Sequence, residues 1–436
     1  MMPALVFAAL CALSTPAALS ADWPQFMGPS GDQSAPWPGG TFTWPSGGPT
    51  VTWRASVGDG FGGAAIFDGE VFLLDRDGDK RDVLRVLGLD DGKERWQAGY
   101  DAPGRLDFKG SRTVPTVIGR HVYTTGGFGH VSCFDRDTQA LVWQVDLARD
   151  FGGALPMFGW STQPCVVGDL LVAAPWSATC SLVGLELETG KARWRTGFLG
   201  YSHATPALLT LLGREQLVVN TCPEPASGQD KAMPAWIVSV DPATGAQLWR
   251  HETVLCRLPI TSPVRVDDQR LFVTGGYRAG SKLLRLAQEE GEPTQISEAF
   301  AVSRGAQVHS PVLHDGHLYM LANENWTDNR RRRAEGGLMC LGLDGKERWR
   351  TGEAPYFGRG GCVRIGDVLL VQDGFDGALR AVRLNPLEYV ELGVFRPFGE
   401  VARDGQMWAP PALSGTRLVM RSQSELVCVE LAQKIG

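Results

Sequence analysis

The chain has 436 residues, 43% of them hydrophobic and 21% charged, the profile of an ordinary globular protein with one large or two medium domains, not of a disordered tail. Its formal net charge of −6 argues against a general nucleic-acid binder, because neutralising phosphates requires a basic surface. Only Arg330-Arg331-Arg332-Arg333 runs the other way, and it reads as a solvated loop.

Residues 4–13 form an apolar run of signal-peptide length, followed by Ser14-Thr15-Pro16 and small residues up to Ala21. Residues 1–21 therefore read as a secretory signal, although Met1-Met2-Pro3 carries no Lys or Arg, and the mature chain is expected in the periplasm or outside the cell. Leu10 is a poor residue ahead of a lipidated Cys11, so a lipid anchor is disfavoured. No later apolar run is long enough to cross a bilayer. Residues 22–49 read as an N-terminal extension and residues 50–436 as a single repeat-built domain.

The repeat is clearest in Gly88-Leu89-Asp90-Asp91-Gly92-Lys93-Glu94-Arg95-Trp96: an apolar strand ends in Asp, Gly-bearing turn formers reverse the chain, and a polar strand carries one buried aromatic. Further copies end at Trp143, Trp194, Trp249 and Trp349. A slot about ten residues before each Trp holds Val86, Cys133, Gly184, Ser239 or Cys340, with Cys428 fitting by strand pattern; these three cysteines read as core residues of separate repeats. Cys165 with Cys180, or Cys222 with Cys256, could pair. Each unit opens with a short strand, usually after a Pro such as Pro115, Pro164, Pro206 or Pro263. Four short antiparallel strands per unit, with almost no helical periodicity, predict an all-β propeller.

Unit ends at Trp53, Trp96, Trp143, Trp194, Trp249, Phe300, Trp349 and Phe395 give seven complete units. Residues 411–431 supply three more strands, and Val51-Thr52-Trp53-Arg54 supplies a lone fourth. Joined, they make an eighth blade and close the ring, removing an open sheet edge. A seven-bladed ring is the alternative, since units five and seven lack the Trp. Trp53, Trp96, Trp143, Trp194, Trp249 and Trp349 are expected to pack blade against blade.

The pattern running from Gly184 to Trp194 and from Ser239 to Trp249 resembles the repeat of the pyrroloquinoline quinone (PQQ) type β-propellers. That family includes quinoprotein alcohol dehydrogenases and the periplasmic lipoprotein that assists outer-membrane barrel assembly. The opening Asp22-Trp23-Pro24-Gln25-Phe26-Met27-Gly28-Pro29 is similar to that of many secreted bacterial members. For the dehydrogenases the resemblance implies a vicinal Cys pair over the quinone and Glu, Asn and Asp around a calcium, and none of these can be placed here. Nor is there a Cys-x-x-Cys-His for covalent haem. The resemblance thus implies fold more than function. It favours a non-catalytic binding or scaffold propeller for a protein, glycan or small ligand, expected to be monomeric. A divergent PQQ-dependent oxidoreductase holding calcium is the alternative.

Other motifs carry little chemistry. Gly58-Asp59-Gly60-Phe61-Gly62-Gly63 has no following helix to aim at a pyrophosphate and reads as a flexible loop. Asp75-Arg76-Asp77-Gly78-Asp79 reads as a hairpin turn, not a calcium loop, because Lys80 and Val86 stand where Gly and Glu are needed. His314 and His317, without a third ligand, are a poor zinc site. No Gly-x-Ser-x-Gly, Walker loop or His-Glu-x-x-His occurs. In a propeller, the connections into each first strand ring one mouth of the channel. That places Arg112, Trp160, Ser161, His203, His309, Arg359 and Trp408 at the mouth, with Phe108, Lys109, Phe158, Tyr201, Tyr356 and Arg403 nearby, a cup for an anionic, sugar-like or peptide ligand. Taken singly, Trp160 and Trp408 each read more readily as caps on the core than as ligand contacts.

Overall fold

The computed structural model describes residues 22–38, 40–225, 232–324, 327–399 and 406–432. The alternating apolar segments form eight antiparallel sheets arranged as the blades of a propeller. Blades 1 to 6 span residues 65–101, 116–146, 165–195, 207–256, 264–302 and 312–350, each from four consecutive strands. Blade 7 spans residues 362–395. Blade 8 takes three strands from residues 412–430 and its outermost strand, Thr50–Ser56, from the other end of the chain. Trp53 lies opposite Cys428 in that pairing, which closes the ring. First strands of neighbouring blades touch near the axis, blade 1 against blades 8 and 2, and blade 4 against blade 5.

The repeat residues mesh the blades. Trp96, Trp143, Trp194, Trp249 and Trp349 stand opposite Val86, Cys133, Gly184, Ser239 and Cys340, and a register shift follows at each site. Such bulges re-aim a side chain out of its own sheet. The Trp53, Trp143 and Trp349 indoles accordingly donate to carbonyls of the next blade, at Leu89 (2.7 Å), Leu187 (2.8 Å) and Asn385 (2.8 Å). Trp249 turns instead to Gln216 of its own blade, at 2.7 Å. The turn glycine is required twice over. Gly92 has a φ of 65°, and a Cβ there would lie 2.5 Å from the Trp53 ring of the preceding blade.

Blade 7 departs from the expected pattern. Phe395 does not occupy the Trp position: it lies opposite Leu379, while Gly393 stands opposite Ala381 just before the register shift. A Cβ on Gly393 would meet the Trp44 indole at 2.3 Å. The missing aromatic is therefore supplied from the N-terminal segment. Trp44 is half-buried and belongs to an edge-on chain of rings with Phe42 and Trp37.

That segment straps the lower end of the channel. Trp23 bridges Ile66 of blade 1, the Val117 amide of blade 2 donates to Pro24, and Ser34–Ala35 adds a parallel strand to the first strand of blade 7. Hydrogen bonds link the segments leading into neighbouring first strands, each donated by a hydroxyl to a backbone carbonyl: Thr116 to Pro164 (2.9 Å), Ser262 to Thr205 (2.8 Å) and Ser310 to Ser262 (2.9 Å). Buried Gln33 continues the series, donating to the Ser310 carbonyl at 2.8 Å while its own carbonyl accepts from the Arg364 amide at 2.7 Å. The strap thus joins blade 6 to blade 7.

Several expectations need correction. The eight described cysteines are free thiols, so neither Cys165 with Cys180 nor Cys222 with Cys256 is bonded. Gly58-Asp59-Gly60-Phe61-Gly62-Gly63 is clamped, not flexible. The fully buried Arg421 donates to the carbonyls of Gly62 (2.7 Å) and Gly58 (3.0 Å), and Asp75 accepts from the Gly58 amide at 2.7 Å. Asp75 also pairs with Arg85 and Arg421, so its carboxylate is committed to fold. The four-Arg run forms a 3-10 helix, Arg330–Glu335, not an irregular loop; Arg330, Arg331 and Arg332 are exposed, and half-buried Arg333 lies over the Tyr356 and Phe375 rings. The proposed signal, residues 1–21, and Arg403 lie outside the described residues.

Candidate functional site

All eight connections into first strands converge on one cavity of about 280 Å³ at the upper mouth of the channel. The clamped loop before blade 1 contributes Phe61; the next two contribute Phe108 with Arg112, and Phe158 with Ser161. His203, Ile260 and His309 come from the loops before blades 4, 5 and 6, and Arg359 and Trp408 from those before blades 7 and 8. Phe26 of the strap lines this cavity and also a lower one of about 560 Å³. The upper cavity is therefore a cup with a strap residue in its floor.

Aromatic rings form one continuous wall. Phe61 and Phe108 lie 5.3 Å and 5.8 Å from Trp408 between centroids, Phe108 lies 5.5 Å from Phe158, and Phe158 lies 6.0 Å from His203. Arg359 covers the outer face of this wall, with its guanidinium 4.5 Å above the Trp408 ring, and it is tied to Asp328 at 2.6 Å.

The two histidines are neutral. Burial pushes His203 down to about 4, helped by the nearby Arg112 charge, and burial likewise lowers His309 to about 4 against a hydrogen bond to Trp408. That bond, 2.9 Å from His309 Nε2 to the Trp408 carbonyl, requires the proton on Nε2 and leaves Nδ1 as an acceptor. His203 Nδ1 lies 3.2 Å from Ser161 Oγ, which donates to the His203 carbonyl oxygen, also at 3.2 Å.

Arg112 is the unbalanced charge. Its guanidinium donates to the Gly110 carbonyl at 2.6 Å and to the Phe108 carbonyl, which fixes its place in the loop. Among the described residues no carboxylate forms an ion pair with it. Burial, then repulsion from Arg76, lowers it to about 10, with Asp82 and Asp107 opposing from a distance, so it stays charged at neutral pH. Asp82 is itself held by Arg76 at 2.6 Å.

Arg112, His203, His309, Arg359 and Trp408 thus share one cavity, with Ser161, Phe108 and Phe158. Trp160 does not join them. It is 1% exposed in the core between blades 2 and 3, its indole donates to the Ala174 carbonyl at 3.2 Å, and its ring packs over Gly129. Tyr201 faces an adjoining pocket of about 170 Å³ with Leu155, Met157 and Arg257. Tyr356 stacks on Phe375, and Lys109 sits at the surface near Asp59. Phe26, Phe61 and Tyr277 are lining residues that reading by connection missed. Phe61 was legible as a large aromatic among loop glycines, whereas nothing local signals that Phe26 enters the channel.

Residues 79–221 and 234–435 match the family model described as outer membrane protein assembly factor BamB. The chain belongs to the BamB family. A curated BamB protein from Salmonella typhimurium is 29% identical over 111 residues, covering 23% of this chain and only 27% of that relative's length. The crystal structure of BamB from Moraxella catarrhalis matches with a TM-score of 0.57 at 16% identity, over 88% of this chain and 97% of that one. A quinohemoprotein alcohol dehydrogenase from Pseudomonas putida HK5 matches with a TM-score of 0.62 at 11% identity, over 95% and 81% of the two chains. At these identities the two structures establish a shared propeller and nothing of chemistry. The donor set of a calcium-held quinone does not fit this BamB-family cup. Its described lining has no cysteine and no carboxylate, and no cluster of three metal-binding side chains occurs among the described residues. Nor is any described helix long and apolar enough to cross a membrane.

Proposed function

We propose that this chain acts outside the cytoplasm as a non-catalytic binding propeller that recognises a protein partner through the upper face. The observation that carries this reading is the convergence of all eight connections on an aromatic cup whose described residues include no carboxylate and belong to no metal-binding cluster. Ser161 and His203 resemble a nucleophile and base, but a histidine lowered to about 4, with no carboxylate to orient it, is a poor base at neutral pH. Beside the cup, Leu155 and Met157 are 50% and 45% exposed, and Phe198 packs edge-on to Tyr201 of the adjoining pocket. Exposed apolar side chains gathered at a pocket rim suit a partner surface. The curated relative's name, an assembly factor for outer membrane proteins, agrees with a protein partner in that compartment.

The test is site-specific photo-crosslinking in a bacterium with an outer membrane. A benzophenone side chain at Leu155 or Phe198 should capture one discrete partner, and the same probe at Glu290, beside the lower turns of blade 5, should not. Equal capture from both faces, or none from the upper one, refutes the assignment. Added PQQ with calcium should leave the melting temperature unchanged; a rise would return the oxidoreductase reading.

A further inference from the structure

We propose that the cup takes a carboxylate carried on an apolar or aromatic body, with Arg112 as its counter-ion. This rests on the upper face being the binding face and adds the chemistry of what enters it. A guanidinium half withdrawn from water, as that of Arg112 is, loses hydration that a nearby anion would offset. Each of the other arginines nearby has a carboxylate partner: Arg76 has Asp82, Arg359 has Asp328, and Arg421 has Asp75. Arg112 alone among these four has only carbonyl dipoles, from Phe108 and Gly110. Two of a guanidinium's donors are thereby used, and the planar fork keeps others for a bidentate oxyanion.

The rest of the cup selects the body that carries the anion. Phe61, Phe108, Phe158 and Trp408 form one wall of a cavity of about 280 Å³, suited to one ring or branched aliphatic group and not to a chain of sugars. Both histidines are uncharged at neutral pH, so they add no second positive charge, and Arg359 is already tied to Asp328. A monoanion therefore balances the site, where a phosphate dianion would overfill it. His309 Nδ1 remains an acceptor for an N–H or O–H next to the carboxylate. Two sources share this chemistry: a free small acid, and the carboxyl terminus of a polypeptide ending in an apolar residue.

Calorimetric titration of the mature protein separates them. N-acetylphenylalanine and its amide serve as small probes, and a hexapeptide ending in Phe is compared with its C-terminal amide. Each acid should bind at least tenfold more tightly than its amide. Binding of the small acid alone identifies a free-acid site, whereas the peptide acid binding further tenfold tighter identifies a polypeptide terminus. Arg112→Gln should erase the preference for acid, and Arg193→Gln, at a surface ion pair with Asp169 of blade 3 away from the cup, should preserve it. The wild-type comparison needs no folded variant: equal binding of acid and amide, or binding of neither, overturns the inference. If that happens while crosslinking from Leu155 persists, the partner-binding face stands and only the carboxylate assignment fails. If both fail, the binding reading fails with it.

Discussion

The two ends of the channel are closed by opposite means. The lower end is spanned by one extended segment that docks through strand pairing, backbone hydrogen bonds and apolar rings: Ser34–Ala35 against blade 7, Gln33 between blades 6 and 7, Trp44 over Gly393. The upper end is built from eight irregular loops, several of whose backbone carbonyls accept from side chains: those of Gly58 and Gly62 from buried Arg421, and that of His203 from half-buried Ser161. Regular backbone supplies its own hydrogen bonds, whereas irregular backbone withdrawn from water must borrow them. The cup is therefore held by charge and polarity, and the strap by packing.

Four measurements would break or sharpen that contrast. The largest effect is expected from Arg421→Leu, which leaves the Gly58 and Gly62 carbonyls without donors and removes one cation from Asp75. A loss of about 3–5 kcal/mol in urea unfolding is expected, and a loss below about 1 kcal/mol would mean that the loop holds itself. Acid should come next. His203 and His309 are held near 4 in the fold against 6.5 when free, so the unfolded chain takes up protons first. Their contribution is complete above pH 6.5 and falls away as the pH drops toward 4, by up to about 3 kcal/mol each. Urea midpoints at pH 7.5 and pH 5 read this directly, and a His203→Asn, His309→Asn double variant should flatten the difference.

Trp44→Ala tests the lower end. A half-buried indole is expected to contribute about 2 kcal/mol, less than a fully buried one, and the change should loosen blade 7 without altering ligand binding in the cup. Hydrogen exchange resolved by peptide would show protection lost in residues 362–395 and kept in residues 65–101; uniform loss would mean that the strap stabilises the whole ring instead. The smallest effect belongs to Ser161→Ala, which removes a bond to the His203 carbonyl worth about 1 kcal/mol and should leave the midpoint's pH dependence intact.

Much of the ring was legible beforehand because its determinants are local and repeated. Asp or Glu, a turn glycine and a Trp at fixed spacing specify strand, reversal and strand in each unit, and the surplus strand at residues 50–56 matched the deficit at residues 412–430. Blade 7 was misread for the same reason. Phe395 was the nearest aromatic in sequence, yet the pairing register puts Gly393 in the slot, and the ring that fills it stands more than three hundred residues earlier. Two units without a Trp, and Trp23, Trp37 and Trp44 in the extension, were all visible, but no spacing rule joins Trp44 to unit seven.

What the sequence determined by itself was the period: four strands to a blade, a small residue facing a Trp, and eight units closed by their own ends. Connection order also placed Arg112, His203, His309, Arg359 and Trp408 around one mouth. Tertiary structure alone decided which neighbour each of them found. Trp160 turned into the core between two blades, Arg359 met Asp328, and Arg112 met only carbonyls. The period is a property of covalent neighbours, repeated unit by unit. A side chain's charge balance depends on groups brought near by the closed ring, and there one residue such as Asp328 separates a structural cation from one available to a ligand.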